Sequence, residues 1–93
     1  MAGPRGWTFI TSHGALLLEV SRAPESTVKE LAARAGLTER QTHRVLADLV
    51  EEGYLERRRV GRRNEYRVNS AQPMRHPSVR NQRIGELLEV LNG

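Results

Sequence analysis

Two helix-start signals in close succession constrain this chain more than any other feature. Thr27-Val28-Lys29-Glu30 and Thr38-Glu39-Arg40-Gln41 both follow the capping-box pattern. In that pattern a threonine hydroxyl and a side-chain carboxylate or amide satisfy N–H groups left unpaired at the start of a helix. Leu31, Ala32 and Ala35 give the first box a short helix over 28–35, and Gly36 is suited to the left-handed backbone that ends it. Only Gly36-Leu37-Thr38 separates the two helices. A connection that tight forces a sharp crossing, the geometry of a helix-turn-helix.

The second of these helices is expected to run over 39–52 and to close at Gly53. At 3.6 residues per turn, Thr42, Val45, Leu46, Leu49 and Val50 gather on one side, and Arg40, Gln41, Arg44, Ala47, Asp48 and Glu51 on the other. Upstream, Thr11 or Ser12 can cap a helix over 13–22. Its apolar set Ala15, Leu16, Leu17, Leu18 and Val20 leaves little free face, so burial on two sides is expected. After Gly53 the period changes to two. Residues 54–59 and 64–69 read as strands joined through Val60, Gly61, Arg62 and Arg63. Leu55 is expected opposite Val68 and Arg57 opposite Tyr66, with one side toward the core and an Arg-rich side outward. Residues 70–77 carry Pro73 and Pro77 and read as a linker, followed by a helix over 79–91 with Ile84, Leu87, Leu88 and Leu91 at helical spacing. The fold class is mainly α with a small β-hairpin (α+β): a three-helix core, a wing and a C-terminal helix. The expected division is an N-terminal arm over 1–10, a winged helix-turn-helix unit over 11–69, and a linker with a C-terminal helix over 70–93.

Charge sharpens the functional reading. The net charge is +4, and residues 57–67 hold six Arg against one acidic residue, Glu65. The remainder of the chain is close to neutral, so the cationic charge is concentrated on the hairpin, as a polyanion partner requires. Arg40 and Arg44 have the fork that matches guanine O6 and N7, and Gln41 is a candidate for adenine. Thr27 and Thr38 lie at helix starts suited to phosphate oxygens. Arg57, Arg58, Arg59, Arg62 and Arg63, with Asn64 beside them, are placed to follow the backbone or reach the minor groove. His43 flanks the outer face as a further backbone contact.

The segments Val28-Lys29-Glu30-Leu31-Ala32, Gly36-Leu37-Thr38 and Leu49-Val50-Glu51-Glu52-Gly53-Tyr54-Leu55 resemble the winged-helix core of bacterial transcriptional regulators of the MarR and ArsR kind. The hairpin RRRVGRRNEYRV looks like their wing. The resemblance implies base contacts at Arg40, Gln41 and Arg44 and phosphate contacts at Thr38 and the wing arginines. It also implies a homodimer built from the first and last helices, with Leu16, Leu17, Ile84, Leu87, Leu88 and Leu91 at the interface. The expected partner is double-stranded DNA carrying an inverted repeat, and the expected action is repression.

Other functional classes have less support. There is no cysteine, which excludes disulfides, thiol catalysis and thiolate metal sites and fits a reducing cytoplasm. No phosphate-binding Gly loop or nucleophile motif is present, so no enzyme, cofactor or metal is expected. His13, His43 and His76 are too widely spaced to suggest a ligand set. No apolar run reaches membrane-spanning length and residues 1–6 lack the order of a signal peptide, so a cytoplasmic, nucleoid-associated protein without membrane contact is expected. No residue names a small-molecule effector. Two alternatives stay open: a winged-helix protein-interaction module, and a non-specific nucleic-acid binder.

Overall fold

The first helix, α1 (Ser12–Arg22), starts where the Thr11 hydroxyl accepts from the Gly14 N–H at 3.1 Å. These elements come from a computed structural model that describes residues 7–93, so the part of the expected arm over 1–6 lies outside the described residues. Leu16, Leu17 and Val20 of α1 are buried, and the helix is packed against by all the later elements except the first strand. Burial on more than one side, as its apolar composition implied, follows from that central position.

Both capping boxes form. At α2 (Val28–Ala35) the Thr27 N–H donates to Glu30 Oε1 at 2.8 Å, and the Glu30 N–H donates to the Thr27 hydroxyl at 3.1 Å. Gly36, at φ +70°, ends the helix while the Leu37 N–H donates back to the Ala32 carbonyl. At α3 (Glu39–Glu51) the Thr38 N–H donates to Gln41 Oε1 at 2.9 Å and the Gln41 N–H to the Thr38 hydroxyl at 3.0 Å. Thr42, Val45, Leu46 and Leu49 of α3 enter the core shared with Leu16, Leu17, Val20 and Leu31.

The Thr27 N–H and hydroxyl, with help from Arg34, hold the Glu30 carboxyl below the usual carboxylate range. A carboxyl depressed in the folded state stabilises it above the ordinary glutamate range, and that contribution is lost as pH falls through the folded value. The melting temperature of the wild type should therefore drop further between neutral and acid pH than that of Glu30→Gln, followed by circular dichroism. Equal drops would remove the box from the acid response.

The wing pairs β1 (Leu55–Val60) with β2 (Arg63–Val68), antiparallel and in the expected register, Leu55 opposite Val68 and Arg57 opposite Tyr66. The connection is tighter than the four residues expected. Val60 pairs with Arg63, leaving a two-residue turn with Gly61 at φ +61°. A glycine at the first central position of such a turn matches the twist of the strands.

The C-terminal segment departs most from expectation. The last helix, α4 (Ile84–Leu91), begins at Ile84 and not at 79. The reason is a non-local pairing. Residues 70–74 run back along 82–85, with Met74 N–H to the Gln82 carbonyl, Ile84 N–H to Gln72 and Gly85 N–H to Ser70. That occupies the backbone ahead of Ile84 in an extended arrangement. The expected linker therefore does not hold the helix away from the core. Tyr54 Oη donates to the Pro73 carbonyl at 2.7 Å, and a Cβ on Gly85 would lie 2.7 Å from Ser70 Cβ, so α4 sits hard against the exit of β2. Ile84 and Leu88 enter the common core, and Asn92 is tied to Ser21 and Arg22 at the end of α1.

Candidate nucleic-acid interface

The core-facing residues of α3 fix which residues lie opposite. At 3.6 residues per turn, the pole away from Thr42, Val45, Leu46 and Leu49 is a line through Arg40, Arg44, Ala47 and Glu51. All four are exposed. Positive charge stands at the helix start and negative charge at its end, so only the N-terminal half of the pole suits a polyanion. Among the described residues neither Arg40 nor Arg44 has a carboxylate within ion-pair distance. The nearest acidic candidate on that side, Asp48, is engaged elsewhere, 2.8 Å from His13 Nε2 at the start of α1. Two guanidinium groups are thus presented to solvent without an internal counter-ion.

Gln41 lies on the flank of this helix and not at its pole. Its amide oxygen is already accepting from the Thr38 N–H. The two threonines also differ. At α2 the Glu30 carboxylate fills the position where a phosphate would approach the helix start beside Thr27. At α3 the corresponding acceptor is the neutral Gln41 amide, so the site beside Thr38 carries no carboxylate from its own box, although Glu39 stands in the first turn. His43 is exposed on the flank opposite Gln41.

The wing arginines do not form one outward face. Strand alternation puts Arg57 and Arg59 with Leu55, and across from them Tyr66 and Asn64. The opposite face carries Glu56, Arg58, Val60, Arg63, Glu65 and Arg67. On it Glu56 is paired across with Arg67 and Arg58 with Glu65, and Arg63 lies 3.4 Å from Glu65. Opposite charges so placed offset one another. Three Arg thus share that face with two Glu. Among the described residues Arg57, Arg59 and Arg62 have no acidic residue paired with them on the wing, and the Arg59 Nε donates to the Gly61 carbonyl at the turn. Sequence reading grouped all five arginines together, although the period of two already separates them.

The residues expected at a dimer interface also divide. Leu16, Leu17, Ile84 and Leu88 are buried within the single chain, because α4 folds onto α1. Within one chain they are core residues. Leu87 and Leu91 are half-buried, while Val90, Phe9 and Trp7 are exposed, the last two stacked edge to face at 5.0 Å. By sequence the apolar stretch Trp7 to Ile10 is expected to pack down ahead of the first helix, yet Trp7 and Phe9 stay exposed. For Val90, an apolar residue on the outer side of a short terminal helix was the available signal. An open cleft of about 540 Å³ lies between the end of α1, the wing and α4. Among the described residues no three His, Asp or Glu side chains converge as a metal site would require, and no helix is long and apolar enough to cross a membrane.

A family model described as the MarR family covers residues 8–63, from ahead of α1 to the start of β2 and more than half of the chain. No curated protein matches.

Proposed function

This chain belongs to the MarR family, a family of DNA-binding transcriptional regulators and not of enzymes, and we propose that it is a bacterial repressor that binds an inverted repeat as a homodimer. The N-terminal half of α3 enters the major groove with Arg40 and Arg44 at base edges. Arg57, Arg59 and Arg62 of the wing follow phosphates or the minor groove, Thr38 takes a phosphate, and His43 lies near the backbone. The observation that carries this reading is the exposed pole of α3, where two guanidinium groups at the helix start have no carboxylate partner among the described residues. The second copy docks on the exposed apolar residues of the chain termini, Trp7, Phe9 and Val90, beside Leu87 and Leu91. Its seat is the cytoplasm, on the nucleoid.

The experiment is selection of the purified chain on a randomised duplex pool at two salt concentrations. The expected outcome is an enriched inverted repeat with half-site centres ~10 bp apart, the spacing of two recognition helices on one face of the duplex. Salt-sensitive binding without enrichment would mean a non-specific binder. Absence of binding at either salt would put the protein-interaction module in its place.

A further inference from the structure

We infer that each half-site presents two guanines to α3, one to Arg40 and one to Arg44, with a single base pair between them, and that Gln41 holds the helix start and reads no base. The inference rests on the DNA-binding reading above and says what that site recognises.

Three observations carry it. First, the outward pole of α3 is narrow. Gln41 stands about 80° round the helix from the line through Arg40 and Arg44, on the same flank as Asp48. The Asp48 carboxylate meets His13 of α1, so that flank adjoins the neighbouring helix and not the open pole. Second, Gln41 is committed. Bidentate recognition of adenine needs the amide oxygen to accept from N6 and the amide nitrogen to donate to N7. Gln41 Oε1 already accepts from the Thr38 N–H at 2.9 Å, and swinging it outward would leave that N–H without its acceptor at the start of the helix.

Third, the groups left at the pole are donors only. A guanidinium presents several N–H groups and no acceptor. In the major groove, guanine alone offers two adjacent acceptors, O6 and N7, whereas adenine sets a donor beside N7 and thymine offers one acceptor beside a methyl group. Two free forks therefore select two guanines, on either strand. Their separation follows from the helix. Four residues at about 1.5 Å rise span about 6 Å, and stacked bases are about 3.4 Å apart, so the two contacts fall about two steps apart.

The test uses the full chain and the duplex it selects. Binding constants are measured for that duplex and for versions changed at each base pair, with the wild type, Arg40→Ala, Arg44→Ala and Gln41→Glu. Alanine removes every donor of the fork, whereas lysine could still donate to O6 and N7. Each alanine variant should lose discrimination at one G·C pair, by roughly 5- to 150-fold, and keep it at the other, two steps away. Glutamate at position 41 keeps the box, so its base preferences should match the wild type while affinity falls evenly across all duplexes. A selected half-site without two such guanines, alanine variants with unaltered preferences, or a Gln41→Glu variant with a changed preference at any base would each overturn the assignment while leaving the regulator reading intact. Selection of no sequence at all would overturn both.

Discussion

Leu16→Ala should lower the free energy of unfolding by about 2–5 kcal/mol, the range for removing a buried leucine side chain. Small domains are stable by only about 5–15 kcal/mol, so this change alone brings the chain close to its limit. Leu16 is completely buried, on the helix against which α2, α3, β2 and α4 all pack. No single neighbour can move in to refill the space without dragging an element with it. Urea unfolding followed by circular dichroism checks the size of the loss. The same titration at low and high protein concentration checks its origin. A core residue costs the same free energy at both, whereas a residue spent on a subunit contact weakens association and shows a loss that is absent at low concentration and grows as concentration rises. A concentration-dependent loss at Leu16 would contradict its burial within one chain.

The second large effect concerns the wing. Each phosphate neutralised by a cation contributes about 0.9 to the slope of log affinity against log salt. Replacing Arg57, Arg59 and Arg62 together with alanine should flatten that slope by up to about 2.7 and weaken binding to all duplexes alike. Replacing Arg58, Arg63 and Arg67 should flatten it less, since Glu56 and Glu65 share their face and already offset part of their charge. Fluorescence anisotropy across a salt series gives both slopes. Equal flattening by the two triple variants would mean that the hairpin acts through its total charge, irrespective of face.

Much of the architecture is written locally in the sequence. Thr27, Thr38 and their box partners set two helix starts, and Gly36, Gly53 and Gly61 set three reversals where positive φ is required. The alternation around Leu55 and Tyr66 fixed the strand register. Each of these signals acts over a few residues, so no tertiary information is needed to read it. The start of α4 is different. It depends on residues 70–74 pairing with 82–85, a contact that no periodicity within 79–83 announces. The stripe of Ile84, Leu87, Leu88 and Leu91 was visible, yet an apolar face looks the same whether its own core or a second chain covers it. For Gln41 the signal was present and read twice. A residue that completes a capping box has its amide oxygen occupied, so one assignment limits the other.

The ties between Asn92 and the end of α1 have a consequence for the order of assembly. They join groups 70 and 71 positions apart, while the helix-turn-helix and the hairpin are built from neighbours in sequence. Closing so long a loop costs chain entropy that local contacts do not, and it is recovered only once α1 offers a finished surface. Docking of α4 is therefore expected late in folding, and its release early in opening. What it uncovers on leaving is the floor of the cleft, Val20, Tyr66 and Val68, at the base of the wing. The hairpin then loses its support while the two capped helices still hold theirs.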